Sequence, residues 1–320
     1  MLYLTNCSDL PDDVGRFDGE EEVRAFCART KIDGFELLAL GGGGLGPVPR
    51  ELVIGVHLLY YPCFVDFWNG NEAGVVAEFG SVAEAQKRLG SRAQMIGRLR
   101  AQLDWAQEIG AKYVVFHVSD VSLAETVTGM RLHSDEAVVD AALAWLRAAV
   151  RQEYRFEFLV ENLWWPGFDF LRPEITRELL EGVPLRRKGI MLDVGHLMHT
   201  SPTIASQEEG TAFVLRQFAR HGALCAQIRG LHLHQWVEGS AYRSALGKNP
   251  PQLHGDYAQR LSQAYGHVLR MDAHRPFSSP CVRRMVQSAA PEYLVHELIT
   301  RDRAEHESFL HTQNKALGKG

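Results

Sequence analysis

The 320-residue chain sets 34 Lys and Arg against 39 Asp and Glu, a net charge of −5, with 46% hydrophobic and 23% charged residues. That is the make-up of a globular chain with a substantial buried core, and its acidic balance argues against broad, sequence-blind affinity for nucleic acid. Five scattered cysteines without a CxxC argue against a disulfide frame or a cysteine–zinc module. The opening MLYLTNCSDL lacks a basic region and a long apolar core, so the expectation is a cytoplasmic protein with no membrane attachment.

Taken in order, residues 2–5 read as a first strand, 20–30 as a helix and, after the Asp33-Gly34 turn, 35–38 as a second strand. The glycine-rich stretch 41–44 lacks the Lys-Ser/Thr ending of a phosphate-cradling loop and reads as a flexible connection. A third strand at 52–56 ends in His57, and residues 58–80 follow as a long, aromatic, irregular segment. Ile96, Leu99, Leu103 and Ala106 then recur at helical spacing, with Gly110 placed to cap the helix. A fourth strand at 113–116 ends in His117, and Val138, Ala142, Trp145 and Ala149 mark the next helix. The fifth strand, 156–160, ends in Glu161, and Pro173 opens a helix that Gly182 closes.

Residues 189–199, GIMLDVGHLMH, hold the pattern that the rest of the chain serves. Ile190, Met191 and Leu192 form the short apolar run of a strand buried on both faces. The run stops at Asp193, and His196 follows past a glycine that lets the backbone turn. A carboxylate ending a buried strand has to be paired, hydrogen-bonded or bound to a metal. An isolated DxxH would be more simply a capping aspartate and a helix histidine. A helix near 208–221, a strand at 228–231 ending in His232, and a last strand at 293–295 with Glu297 just beyond complete the pattern. Eight strands, most separated by a helix, predict a (β/α)8 TIM barrel forming a single domain over 1–320. Two units are irregular: little room for a helix between the second and third strands, and an insertion at about 235–271.

Such a barrel gathers the C-terminal ends of its strands at one mouth, where active sites are built. Those ends here offer His57, His117, Glu161, Asp193, His232 and Glu297, joined by His196 and by Asp272 and His274 of MDAHRPF. Singly, each has a plain structural reading as a hydrogen-bonded histidine or a paired acid. Together they exceed what one four-coordinate ion needs, so two or three divalent ions per chain are expected, zinc first, with manganese or iron also suited to imidazole–carboxylate sets.

The motifs GVHLLYY, VVFHVSD, LVENLWW, GIMLDVGH, IRGLHLH, MDAHRPF and LVHELI resemble the xylose isomerase-like TIM-barrel superfamily, and within it the endonuclease IV family of apurinic-site endonucleases. That resemblance implies a first metal on His57, His117 and Glu161, with Glu161 bridging to a second held also by Asp193, His232 and Glu297. It implies a third metal on His196, Asp272 and His274, and an aromatic at Tyr60 where the family invades DNA. The implied activity is phosphoester hydrolysis, the ions easing proton loss from an attacking water, with Arg275 or Lys248 neutralising phosphate charge.

This chain departs from the family in the loop after the second strand, GGGGLGP with only Arg50 nearby, so weak binding to duplex DNA is expected, and the phosphate could belong to DNA or to a small metabolite. His234 stands where the family has a polar residue, as an outer partner or an extra donor. The alternative reading is a single-metal sugar isomerase or epimerase. There Glu161 and Glu297 would shuttle a proton beside the carbonyl, His196 would touch substrate, and Trp164, Trp165 or Trp236 would stack on the sugar. Iron-dependent oxidation on the same scaffold is a third. Four residues discriminate: His57, His117, Asp272 and His274 have a use in the multinuclear reading and none in the single-metal isomerase.

Overall fold

Strand alternation decides which way each side chain faces, and it places the whole site. Along β4 (Tyr113–His117), Val114 and Phe116 join the main core between barrel and helices, whereas Tyr113 and Val115 join a separate cluster inside the barrel. The same alternation sends Leu159 of β5 (Glu157–Glu161), Met191 of β6 (Lys188–Asp193) and Val295 of β8 (Tyr293–His296) inward. Because side chains repeat with a period of two, the next inward positions are His117, Glu161, Asp193 and Glu297. Apolar side chains therefore plug the lower barrel, and charged ones cap it.

The structure is a computed structural model that describes residues 1–40, 44–201, 203–237 and 251–319. The remaining strands are β1 (Leu2–Ser8), β2 (Gly34–Leu38), β3 (Val53–His57) and β7 (Ile228–His232). Neighbours pair in parallel in chain order, and β8 returns to β1, so the sheet closes into an eight-stranded barrel surrounded by helices. The expected (β/α)8 fold is present. Among the described residues between β2 and β3 there is a single 3-10 turn, Arg50–Leu52, in keeping with the little room their spacing leaves for a helix.

Several elements are richer than the sequence reading. The segment 58–80 is not merely irregular: it contains helices Val65–Asn69 and Glu72–Phe79, the second capped by the Asn71 side chain accepting from the Gly74 amide. Helices this short carry too few turns to show a period. The 235–271 stretch ends in a helix, Tyr257–Met271, started by a capping box of Asp256 and Gln259. Its Tyr257 ring lies 4.9 Å from that of Phe79, so this helix packs beside the 72–79 helix. Residues 41–43 of the glycine stretch, and Lys248 with the rest of 238–250, lie outside the described residues. Among the described residues no helix is long and apolar enough to cross a membrane.

Candidate metal centre

All nine expected donors meet at the barrel mouth, in three groups whose ligand atoms lie within 4.8 Å of one another. The first group is His57, His117 and Glu161; the second is Glu161, Asp193, His232 and Glu297; the third is His196, His234, Asp272 and His274. Glu161 belongs to two groups and is fully buried. Its Oε2 lies 3.0 Å from His57 Nε2 and 2.9 Å from His117 Nε2. Its Oε1 lies 3.1 Å from His232 Nδ1 and 3.5 Å from His196 Nδ1.

Backbone and outer partners fix which nitrogen of each ring faces inward. His57 Nδ1 sits 3.0 Å from the Leu58 carbonyl and His196 Nδ1 3.0 Å from the Asn162 carbonyl. A carbonyl can only accept, so both Nδ1 atoms carry hydrogen, and in the neutral rings Nε2 presents a lone pair. Those lone pairs face carboxylates, Glu161 for His57 and Asp272 at 3.2 Å for His196. Two acceptors in contact repel unless a proton or a metal ion lies between them. His117 Nε2 and Glu297 Oε2 are close to opposite charges, yet neither has a hydrogen-bond partner. Each instead lies among the donors of its own group, His117 in the first and Glu297 in the second. The donor set thus fits divalent ions, on the orphaned buried atoms as well as on residue type.

The electrostatics agree. Burial pushes the His196 and His232 imidazoles toward neutrality, but Asp193 and Asp272 at the first, and Glu297 and Glu36 at the second, outweigh it and hold both well above the ordinary histidine range. His274, buried but facing Asp272 and Glu297, is raised to about 9. Burial wins at His117, which is held below its ordinary value. The carboxyls of Glu161, Asp272 and Glu297 are driven well below theirs: burial opposes ionisation, and the surrounding imidazoles overcome it. A site that gathers protons this strongly is a site of concentrated negative potential, which a divalent cation satisfies.

Asp193 answers both of its sequence readings at once. It caps the helix Val194–His199, accepting from the His196 amide at 2.6 Å, and it also ends β6 within the second donor group. Asn162 locks it in place, donating to the Asp193 carbonyl and accepting from the Asp193 amide.

Sequence reasoning missed Glu36, an inward carboxylate of β2 that is 2% exposed. It accepts from the Tyr113 hydroxyl at 2.8 Å and from His232 Nε2, which turns His232 Nδ1 toward Glu161 and Glu297. Gly55 makes this possible, because a Cβ there would collide with the Tyr113 ring. His199 was missed as well; its Nε2 lies 3.2 Å from Asp272 Oδ1, and its ring stacks on Trp164 at 4.2 Å. We expect Glu36→Ala to weaken one bound ion by about 10–100-fold, the usual cost of losing an outer partner of a ligating histidine. Competition against a chelator measures it, and an unchanged affinity would show that Glu36 does not orient His232.

The expected substrate residues are placed differently. The Tyr60 ring meets His117 edge-on at 4.9 Å and so borders the first group. Trp164 stands 5.2 Å from the His196 ring. Arg275 follows His274 in sequence, but its guanidinium lies over the Phe309 ring of the last helix, Arg303–Leu317. It is not gathered with the donors. Arg50 donates to the Ile109 carbonyl.

A family described as xylose isomerase-like TIM barrel matches residues 75–279. The chain belongs to this family. No curated protein matches it. Among solved structures, a D-tagatose 3-epimerase-like protein is 14% identical with a TM-score of 0.53, covering 100% of this chain and 99% of its own. The E. coli 3-keto-D-glucoside 4-epimerase YcjR, in its apo form, is 13% identical with a TM-score of 0.51, covering 100% and 98%. An IolI protein with a binding zinc atom is 11% identical with a TM-score of 0.50, covering 100% and 99%. At such identities the likeness is one of fold. Within the xylose isomerase-like family, this chain's own donors define what its mouth can do, and with the fold they support a metal-dependent enzyme.

Proposed function

We propose that the protein is a multinuclear metal-dependent hydrolase of phosphoesters, its substrate a small phosphoester rather than duplex DNA. One observation carries the reading: Glu161 turns one oxygen to His57 and His117 and the other to His232, the disposition of a bridging carboxylate. When bound, divalent ions supply Lewis acidity toward a phosphoryl oxygen and make water a better nucleophile at neutral pH. His57 and His117 hold one side of the bridge, while Asp193, His232 and Glu297 hold the other. Glu297, whose side chain at 15% exposure is the most open of these carboxylates, lies with Oε2 3.2 Å from His232 Nδ1 and would face incoming substrate. Tyr60 and Trp164 wall the mouth and exclude water on the His117 and His196 sides.

The second reading is a sugar isomerase or epimerase, favoured by the named activities of the solved neighbours. It needs only Glu161, Asp193, His232 and Glu297, with Glu161 and Glu297 passing a proton between carbons. It leaves His57 and His117 without a task.

Substrate profiling in doubly labelled water separates the two. Hydrolysis places solvent oxygen in the phosphate product and no deuterium on carbon, and His117→Ala abolishes it. Deuterium on carbon with phosphoesters intact, and a His117→Ala variant still active, would replace the hydrolase with the isomerase. Incision of abasic duplex is expected to be weak, since Arg50 is already engaged; efficient incision would restore DNA as the substrate.

A further inference from the structure

The third donor group contains one more imidazole than the family resemblance implies. His234 follows β7 by two residues and is fully buried. Its Nε2 lies 3.0 Å from both carboxylate oxygens of Asp193. Because Asp193 accepts, His234 Nε2 carries hydrogen, and the neutral ring keeps its lone pair on Nδ1. That Nδ1 has no hydrogen-bond partner; the nearest opposite charge is Asp272 Oδ1 at 3.9 Å. A fully buried ring with one nitrogen carboxylate-bound and the other orphaned among donors has the arrangement of a metal-ligating histidine and its orienting acid.

The fold makes room for this ring. Gly195 lies beneath it, and a Cβ there would collide with the imidazole. On the other side the His274 ring stacks face to face at 3.8 Å, with 6° between planes. Within the group, His196 Nε2 and His274 Nε2 lie 3.2 Å and 2.9 Å from the same oxygen, Asp272 Oδ2.

Building on the multinuclear reading, we propose that His234 is a fourth protein ligand of the third ion, binding through Nδ1 while Asp193 holds its Nε2–H. Three imidazoles and a carboxylate complete a four-coordinate site, and a site so closed keeps no position for water or substrate. An ion so enclosed would contribute charge only, and substrate would meet ions held by the other two donor groups. Asp193, a donor of the second group, also orients a ligand of the third, which ties the two sites together. Parallel planes share no point, so the His234 and His274 rings would have to tilt relative to each other for both nitrogens to bind one ion.

Cadmium-113 loaded into the metal-free full chain, with its histidines labelled in nitrogen-15, tests this directly. The expected result is three ions per chain, coupled respectively to two, one and three imidazole nitrogens. One of the three couplings on the third ion disappears in His234→Ala. Gly195→Ala, which keeps every donor but presses on the His234 ring, should lower the affinity of that ion by at least about 10-fold. Three ions coupled to two, one and two imidazoles would overturn the proposal while leaving the multinuclear reading intact. A single ion coupled to one imidazole would overturn both.

Discussion

Glu161→Gln is expected to strip two ions from the protein and leave one. Both oxygens of Glu161 are committed, Oε2 to His57 and His117 and Oε1 to His232, so one substitution touches two donor groups. Glutamine keeps the volume but replaces one acceptor oxygen with a donor NH2 and removes the negative charge that offsets the ions. The group of His196, His234, Asp272 and His274 does not include Glu161 and keeps its ion. Elemental analysis of protein purified without chelator should fall from three ions to one, and turnover should fall to background. In the metal-free protein the same change leaves buried imidazoles without their counter-charge, at a cost on the order of 3 kcal/mol. A variant that retains three ions, or full activity, would remove the bridge and the hydrolase reading with it.

What the sequence showed of this site follows from the period of two. Once β4, β5 and β6 are recognised by their apolar runs, the residue that ends each run is fixed as inward and at the mouth, which is why His117, Glu161 and Asp193 were legible. Asp272 and His274 belong to no strand, so the period of two does not place them, and they were legible only as a close pair of ligand types in MDAHRPF. Glu36 was hidden because it sits inside 35–38, a stretch read simply as the second strand. A signal was there: a carboxylate in the middle of a buried strand requires a partner, just as one at its end does. Tyr113 posed the converse problem, since a tyrosine at the start of an apolar strand reads as core. Its hydroxyl contact with Glu36 depends on the gap at Gly55, two strand residues and a long connection away in sequence. The helices of 65–79 escaped because they are too short to show a stripe, and the second starts at a single capping side chain, Asn71. For Arg275, adjacency to His274 suggested the mouth, but direction is not adjacency: its guanidinium turned to Phe309.

Chelated and metal-loaded protein are expected to respond differently to pH between neutrality and about 9. In the chelated protein His274 is raised to about 9, with His196 and His232 also held well above the ordinary value of 6.5. Above pH 6.5 the unfolded chain has released these protons while the folded chain retains them, so the folded state binds more protons and stability falls as pH rises. The contribution of His274 is fully present below 6.5 and is gone once pH passes about 9, a loss on the order of 3 kcal/mol. In the loaded protein the same imidazoles must be neutral to ligate, so folded and unfolded chains hold equal numbers of these protons over that range and the slope vanishes. Below pH 6.5 the loaded form is instead lost to acid, as protons compete with the ions. His133, raised to about 9 chiefly by its hydrogen bond to Asp120 and then by Asp66, contributes the same falling slope to both forms. The difference between the two melting curves therefore isolates the metal centre. Thermal melts at half-unit steps, with and without chelator, measure that difference, and ion loading at pH 7 in weak buffer should release protons that an indicator dye counts. Parallel curves and no proton release would mean that these imidazoles do not exchange protons for metal, and the donor groups would lose their chemical meaning.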